Sequence, residues 1–260
     1  MDLQLKDRVI LVTGASTGIG RATAELLAAE GATAVGVSRN PAPGTSGPQV
    51  DHIFADLTAP AAGDRIVETI LKRHGRLDGL VNNLGGPDLR NGFLGITEEQ
   101  WLDMFDLNFH VARRMSKAAL PALLAAGDSA IVHVSSSSAH LGTRLNPDYA
   151  AAKLALLSLS KTLAAEFTSK GTRSNVVTPG LTKTAIYEAP GRFGEKVAKL
   201  HGVEFDDVVE HMSTSVRPQL AKRVSEPEDV ARVIAYLISP LASQVTGAEW
   251  VVDSGVLMQV

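Results

Sequence analysis

A tyrosine and a lysine, Tyr149 and Lys153, stand four residues apart in a segment that has the composition of a helix. On a helix, two side chains at this spacing lie on the same face. A phenol can act as a general acid or base, but its ordinary pKa near 10 is poorly matched to neutral pH. Lowering that pKa by about three units requires roughly 4 kcal/mol of preferential stabilisation of the phenolate, for which Lys153 is a source. The alternative interpretation is a packing tyrosine beside a solvated lysine.

The first predicted strand is followed by a glycine-rich segment, TGASTGIG at residues 13–20, which opens the first predicted helix. Glycines in such a turn permit a tight bend, let the backbone approach a pyrophosphate, and let helix and strand pack closely. The N–H groups at the start of the helix then favour an anion. The pattern predicts a dinucleotide site, although an ordinary β–α turn can show the same spacing. The predicted contacts are Gly14, Ser16, Thr17, Gly18, Ile19 and Gly20.

The end of the second predicted strand carries Ser38 and Arg39 and no carboxylate. NAD enzymes usually place an acidic residue at this point, against the ribose 2′-hydroxyl, whereas an arginine accommodates a 2′-phosphate. A guanidinium matches phosphate geometry and Ser38 can add a hydrogen bond, so we expect NADP(H), with NAD(H) as the alternative. A solvated loop arginine is the competing interpretation of Arg39. After the third strand, Asp56 and Leu57 are predicted to contact the adenine, and Asp56 can equally cap the helix that follows.

Short apolar runs alternate with helical segments along the chain, which is typical of an α/β fold. Because most runs are continuously apolar, we expect helices on both faces of the sheet. The prediction is a single-domain Rossmann-type fold over residues 1–260, a doubly wound parallel sheet of about seven strands. Capping boxes are predicted at residues 97–100 and 225–228, and long helices at 101–126 and 147–170. The predicted strands are residues 9–13, 33–38, 52–55, 79–82, 130–135, 174–178 and 249–252.

Residues 185–216 break this alternation, because a stretch of about thirty residues is long for a plain connection in an α/β fold. Its apolar periodicity predicts one or two short helices, interrupted by scattered glycines and a proline. Long segments of this kind are often lids or binding loops. We therefore predict that residues 185–216 form a substrate-covering insertion.

The composition narrows the classes of protein to consider. A net charge of −3 argues against a nucleic-acid partner, and no apolar run approaches the ~20 residues of a membrane span. The chain has no cysteine, which excludes disulfides, thiolate catalysis and cysteine zinc sites. Its seven histidines are scattered, so no metal site is predicted. We expect a cytoplasmic protein.

Together with further motifs, these features resemble the classical short-chain dehydrogenase/reductase family. That family has a Thr-Gly-x-x-x-Gly-x-Gly turn, an Asn-Asn-Ala-Gly segment and a Tyr-x-x-x-Lys pair, and only Leu84 departs from the second motif. The resemblance covers about residues 6–184 and 217–255. It implies a catalytic set consisting of Asn108, Ser136, Tyr149 and Lys153. It also implies cofactor contacts from Asn83, Gly85, Tyr149, Lys153, Pro179, Gly180, Thr182 and Thr184.

The resemblance implies an enzyme that uses NADP(H) to interconvert a small-molecule carbonyl, of ketone or 3-oxoacyl type, and a secondary alcohol by hydride transfer. Lys153, together with the positive charge of the oxidised nicotinamide, would lower the pKa of Tyr149. Ser136 would hold the substrate oxygen beside the Tyr149 hydroxyl, and Asn108 would hold a water that links Lys153 to solvent. An NAD-dependent alcohol or sugar dehydrogenase and a non-catalytic NADP-binding sensor are the alternatives, but a sensor has no need of a proton relay. The resemblance also implies a homotetramer, or a homodimer, built from the long helices and the final strand.

Overall fold

Seven parallel strands form one sheet in the computed structural model, which describes residues 2–41 and 49–258. The strand order is β3-β2-β1-β4-β5-β6-β7, so the order reverses between β1 and β4. In an open α/β sheet, ligands bind outside the carboxyl ends of the strands at this point. The domain prediction also spans residues 1, 42–48 and 259–260, which lie outside the described residues. The strands are β1 (Val9–Thr13), β2 (Thr33–Ser38), β3 (Asp51–Phe54), β4 (Gly79–Asn82), β5 (Ser129–Val134), β6 (Thr172–Pro179) and β7 (Glu249–Val252).

The strand predictions are confirmed in number and position, and four of the seven have the predicted bounds. The predictions at residues 52–55, 130–135 and 174–178 are displaced by one or two residues at their ends. Backbone pairing sets the true limits: Asp51 pairs with Val35, and Ser129 pairs with Thr172. These pairs include polar residues, which a search for apolar runs does not count as strand.

Helices cover both faces of the sheet. On one face lie α1 (Gly18–Ala29) and α9 (Pro227–Ile238); on the other lie α2 (Ala62–His74), α4 (Val111–Ala126) and α5 (Pro147–Phe167). Alternate residues of β1 enter the two cores, Ile10 and Val12 on the first face and Val9 and Leu11 on the second. Burial on both faces explains why the strands are continuously apolar.

The helix predicted at residues 101–126 begins earlier and contains a wide turn. It starts as α3 (Glu98–Phe105) and reaches α4 through one π-helical turn, Asp106–His110. The earlier start follows from the confirmed capping box: Gln100 N donates to Thr97 Oγ1 at 3.2 Å, and Thr97 N donates to Gln100 Oε1 at 3.1 Å. The wide turn contains Asn108, and π-helical turns often occur at functional sites.

Two helix-end predictions need correction. The helix predicted to reach residue 170 ends at Phe167, and the next three residues form a 3₁₀ turn that stops at Gly171 in the left-handed region. The capping box predicted at residues 225–228 is displaced, because Glu226 is the cap and its N–H donates to Asp229 Oδ2 at 3.0 Å. Pro227 occupies the first helical position, which proline favours, and this moves the cap by one residue.

Residues 185–216 fold into three short helices rather than one or two: α6 (Ala185–Glu188), α7 (Phe193–His201) and α8 (Val208–His211). A 3₁₀ turn precedes α8, and a second π-helical turn, Met212–Val216, follows it. Apolar side chains from these elements form a cluster of their own beside the main cores. In the part of the chain that the structure describes, no helix is long and apolar enough to cross a membrane.

Candidate active site

The turn between β1 and α1 leaves backbone N–H groups available for an anion. Gly14 and Gly18 have φ values of 69° and 55°, in the left-handed region that glycine adopts most readily. Thr17 precedes the helix and makes no side-chain cap, and the first turn of α1 carries no acidic residue. A Cβ on Gly20 would overlap the Gly14 carbonyl oxygen, so the helix can approach the strand only because this residue is glycine. These features fit the pyrophosphate of a dinucleotide.

Asn83 joins the carboxyl ends of β1 and β4. Its Nδ2 donates to Thr13 O at 2.9 Å and to Gly14 O at 3.3 Å, and its backbone N donates to Thr13 Oγ1 at 2.9 Å. Leu84, which departs from the family pattern, keeps its backbone contact, since its N donates to Thr13 Oγ1 at 3.1 Å. The Asn83 side chain therefore holds the glycine turn in place from the neighbouring strand.

The end of β2 and the end of β3 lie side by side at the predicted adenosine end of the site. Ser38 is buried and its hydroxyl donates to Asn40 O at 2.7 Å, so its hydrogen is engaged within the loop. Arg39 is exposed and close enough to Asp56 to lower the pKa of that carboxyl. The pKa of Asp56 is lowered mainly by two hydrogen bonds from Thr58, at 3.0 Å from its N–H and 2.7 Å from its hydroxyl. Asp56 thus closes a local turn and stays ionised at neutral pH.

Tyr149 and Lys153 lie near the start of α5 and face the end of β5. The Lys153 Nζ lies 5.7 Å from the centroid of the Tyr149 ring and donates to Val134 O at 2.9 Å. The side chain of Ser136 lies close enough to the Tyr149 hydroxyl to lower the pKa of the phenol, and its Oγ accepts from Ser138 N at 3.2 Å. Tyr149 is 8% exposed and Lys153 is 3% exposed. The structure therefore brings three of the four predicted catalytic residues together at one buried point.

Burial shifts the pKa of both titratable groups in opposite directions. Burial raises the pKa of Tyr149 to about 12, and the Ser136 side chain and the Arg217 charge oppose that rise only in part. Burial lowers the pKa of Lys153 to about 8. Lys153 by itself does not lower the pKa of Tyr149, because the loss of solvation outweighs the nearby charges. The predicted lowering by Lys153 together with the positive charge of an oxidised nicotinamide stays a prediction. The phenol is protonated at neutral pH.

Asn108 lies behind this group and is 1% exposed. Its Oδ1 accepts from Gly86 N at 2.9 Å, and its Nδ2 donates to Gly86 O at 3.2 Å and to Met104 O at 3.1 Å. A Cβ on Gly85 would overlap Asn108 Oδ1 and would lie 2.9 Å from Lys153 Nζ. Asn108 and Lys153 thus approach the same point of the loop from opposite sides, and Gly85 leaves the space between them.

The facing wall comes from the end of β6 and the segment after it. Thr182 Oγ1 donates to Gly180 O at 3.2 Å and helps to shape this bend. Thr184 directly precedes α6, and a Cβ on Gly18 would lie 3.0 Å from its Cγ2. This wall therefore reaches across to the glycine turn. The predicted cofactor residues on it are Pro179, Gly180, Thr182 and Thr184.

A single cleft of about 450 Å³ joins these parts, from Arg39 at one end to Tyr149 and Arg217 at the other. All the predicted site residues line it except Gly20 and Asn108, which lie behind its walls. Two residues of the insertion, Ile186 and Tyr187, form one side of the cleft. The cleft is open at the carboxyl ends of the strands, where the strand order reverses.

A buried ion pair next to the tyrosine was not predicted from the sequence. Asp148 has a fully buried side chain, accepts from Arg90 Nε at 2.7 Å, and accepts from Tyr149 N at 2.9 Å. Arg90 also contacts Asp88 at 3.4 Å, and Asp88 pairs with Lys196 of α7 at 2.5 Å. The chain of charges links the insertion to the start of α5. No local spacing signals it, because Arg90 and Asp148 are 58 residues apart.

Comparisons with known proteins agree with this geometry. A family model described as enoyl-(acyl carrier protein) reductase matches residues 14–257. The 3-oxoacyl-(acyl-carrier-protein) reductase FabG of Escherichia coli strain K12 is 31% identical over 262 residues, covering 98% of this chain and 100% of that protein. The ligand-free aldohexose dehydrogenase of Thermoplasma acidophilum has a TM-score of 0.88 at 28% identity, covering 98% and 96% of the two chains.

A further solved structure, a putative NAD(P) dependent gluconate 5-dehydrogenase from Beutenbergia cavernae with bound NADP, has a TM-score of 0.84 at 29% identity and covers both chains fully. The fold and the site define an oxidoreductase that acts on carbonyls and CH–OH groups with a nicotinamide cofactor. This chain belongs to the short-chain dehydrogenase/reductase family.

The buried Lys153 yields a test of stability against pH. The pKa of Lys153 is lowered from 10.5 to about 8 in the folded protein. At pH 7 the charged lysine therefore lowers the free energy of unfolding by about 3 kcal/mol, relative to a lysine whose pKa does not change on folding. We expect Lys153→Met to raise the free energy of unfolding by about 1–3 kcal/mol at pH 7, after the loss of the Val134 hydrogen bond. The gain shrinks as pH rises from 8 towards 10.5, because the folded lysine is then already neutral. Urea denaturation of both proteins at several pH values measures this difference in the free energy of unfolding.

The matched control is Lys161→Met, at an exposed position of the same helix, which should change stability by no more than about 0.5 kcal/mol at any of these pH values. A Lys153→Met protein that is less stable than wild type at pH 7, or whose gain does not depend on pH, contradicts the assignment of a charged lysine to this interior position.

Proposed function

We propose that this protein catalyses the NADP(H)-dependent interconversion of a carbonyl, of ketone or 3-oxoacyl type, and a secondary alcohol. One observation carries the proposal: Tyr149, Ser136 and Lys153 line one end of a cleft that extends to Arg39 at the other end. A proton donor and a dinucleotide turn thus share one space. The name of the Escherichia coli relative, a 3-oxoacyl reductase, supports the direction from carbonyl to alcohol.

Each residue of the catalytic group has a distinct part in the proposed reaction. When bound, the cofactor supplies a hydride to the carbonyl carbon, or accepts one from the alcohol. Tyr149 holds a proton at its phenol oxygen, and its raised pKa keeps that proton in place at neutral pH until the substrate oxygen needs it. Ser136 hydrogen-bonds the same substrate oxygen and fixes it beside the phenol. Lys153, with a pKa of about 8, is mostly charged at pH 7 and replenishes the proton.

Asn108 acts through its side-chain oxygen in this scheme. Both hydrogens of its amide are donated to carbonyl oxygens, of Gly86 and Met104. Oδ1 accepts from Gly86 N and has a second lone pair that can accept from a water. A Cβ placed on Gly85 would overlap Asn108 Oδ1 and would lie 2.9 Å from Lys153 Nζ. Both polar atoms are therefore close to one point, which supports a short path between the two side chains. We propose that a water on this path links Lys153 to solvent.

The preference for NADP(H) rests on Arg39. It is exposed at the rim of the cleft, and within the described residues it forms no ion pair that would keep it from a phosphate. Ser38 is a weaker contributor than the sequence analysis expected, since its hydroxyl hydrogen is engaged by Asn40 O. Asp56 and Leu57 line the same end of the cleft as Arg39, which supports the proposed adenine contacts, and NAD(H) stays the alternative cofactor.

We also propose that residues 185–216 cover the substrate, and that the protein is a cytoplasmic homotetramer or homodimer. Ile186, Tyr187 and Met212 line the cleft, which supports the covering role. Apolar side chains exposed on α3, α5 and β7 support a subunit interface there: Leu102 is 62% exposed, Leu154 49% and Trp250 37%. A sedimentation profile of the 27.4 kDa chain showing only monomer contradicts the oligomer.

Replacing Tyr149 by phenylalanine removes the proton donor and keeps the ring. We expect Tyr149→Phe to bind NADPH as wild type does and to lose at least about 1,000-fold in kcat, a loss typical of a missing general acid. The measurement is NADPH absorbance during reduction of a panel of ketones and 3-oxoacyl thioesters, with fluorescence quenching for binding. The control is Tyr236→Phe, on α9 and far from the cleft, which should retain activity. Near wild-type turnover by Tyr149→Phe, on a proven substrate, would defeat the proposal.

Replacing Arg39 by glutamine removes a charge without removing a polar group. We expect Arg39→Gln to weaken NADPH binding by about 10–100-fold, because the charge-assisted hydrogen bonds to the 2′-phosphate are lost, and to leave NADH binding within about twofold. Titration with both nucleotides measures this. Arg65→Gln, at an exposed position of α2 outside the cleft, is the control and should leave both affinities unchanged. Equal losses for NADPH and NADH would show that Arg39 does not read the phosphate.

A further inference from the structure

One arginine at the substrate end of the cleft is not used by the proposed reaction. Arg217 follows the turn Met212–Val216, lines the cleft and is half-buried. Its Nη1 donates to Ser138 Oγ at 3.2 Å, and Ser138 N in turn donates to Ser136 Oγ at 3.2 Å. The guanidinium is therefore one hydrogen-bonded residue away from the proposed substrate-binding serine.

This end of the cleft carries uncompensated positive charge. In the described part of the chain, no carboxylate lies within ion-pair distance of Arg217, whereas the nearby Arg90 is paired with Asp148 at 2.7 Å. Asp56, at the opposite end, is the one carboxylate among the described lining residues. The exposed Arg192 adds a second positive charge at the mouth. Among the described residues, a ligand that enters here meets two guanidinium groups and no negative side chain.

The position of Arg217 limits where an anion that binds its guanidinium can lie relative to the reacting carbonyl. A partly desolvated guanidinium is stabilised by an anion, and its planar fork matches a carboxylate through two parallel hydrogen bonds. Because Arg217 contacts Ser138, two residues from Ser136, the anion must lie within a few atoms of the reacting carbonyl. The phosphates of an acyl carrier are many bonds from the thioester carbonyl and do not meet this condition. A carboxylate on the same small molecule does.

We propose that Arg217 binds a carboxylate of the substrate, and that the protein reduces small oxo-carboxylic acids, or oxidises the corresponding hydroxy acids, in preference to neutral ketones. The inference rests on the proposed function, and it narrows the substrate to molecules with a free carboxylate close to the carbonyl. Hydride is added to the carbonyl carbon from NADPH, which is oxidised to NADP⁺, and the proton on the new hydroxyl comes from Tyr149. The carboxylate stays unchanged throughout.

Matched pairs of substrates test the inference. The 2-oxo, 3-oxo and 4-oxo derivatives of a four- or five-carbon carboxylic acid are compared, as free acids and as methyl esters, with NADPH. For the best pair we expect the wild type to favour the acid by at least about tenfold in kcat/KM, with the difference mainly in KM. In Arg217→Met the ratio of acid to ester should fall to about one. In Arg144→Met, at an exposed position outside the cleft, the ratio should stay at the wild-type value.

The ratio separates recognition from a merely structural role. If Arg217 only steadies the serine loop through Ser138, its removal lowers the rates for acid and ester equally and the ratio does not change, which overturns the inference. A wild type that reduces neutral ketones or esters as well as the acids also overturns it, while the proposed function stands, provided that this turnover depends on Tyr149.

A binding measurement keeps the test independent of turnover. Calorimetric titration of 3-hydroxybutanoate into protein saturated with NADP⁺ should show binding that weakens by at least about tenfold in Arg217→Met and not in Arg144→Met. If the wild type reduces none of the ketones, 3-oxoacyl thioesters, oxo acids and esters, the proposed function fails. If the 2-hydroxy, 3-hydroxy and 4-hydroxy acids that correspond to the oxo acids also fail to bind the wild type, the carboxylate inference fails separately.

Discussion

The site depends on keeping the Lys153 ammonium inside the protein. Burial disfavours the charge and lowers the pKa to about 8, so the lysine is mostly protonated at pH 7 but gives up its proton readily. The groups that accommodate it come from separate elements: the Val134 carbonyl at the end of β5, and Asn108 in the wide turn between α3 and α4. Gly85, after β4, leaves the space between Asn108 and Lys153. Only the assembled sheet and helices hold the lysine in this way.

The surroundings of Lys153 on the side of the sheet are neutral. His133 is fully buried, and burial together with the Lys153 charge lowers its pKa to about 3, so the imidazole stays uncharged. The Asn82 amide contacts His133 Nδ1 at 3.3 Å and donates to Ser116 Oγ at 3.0 Å, which fixes this polar group beneath the site. The lysine thus has no buried counter-ion among the described residues. Its charge is available on the side of the cleft, where Tyr149 lies.

The sequence predicted what depends on local pattern. The seven strands follow from apolar runs, and the glycine turn at residues 13–20 follows from a spacing whose stereochemical reason is general. Features that depend on long-range contacts were not predictable. The Arg90–Asp148 pair joins residues far apart in the chain, and Arg217 is distinctive only because no carboxylate among the described residues lies within ion-pair distance of it. The raised pKa of Tyr149 in the protein alone was not predicted, because burial, which the sequence does not report, exceeds the effect of the nearby charges.

The protein's own groups keep Tyr149 protonated, and we propose that the positive charge of an oxidised nicotinamide is needed to favour the phenolate. The direct measurement is the tyrosinate absorbance of wild type minus that of Tyr149→Phe against pH, with and without saturating NADP⁺. Without nucleotide, we expect no ionisation of Tyr149 up to about pH 10.5, since its pKa is raised to about 12. With NADP⁺, the ionisation should move to lower pH. Ionisation of Tyr149 between about pH 7 and 9 in the protein without nucleotide would show instead that the protein's own groups stabilise the phenolate.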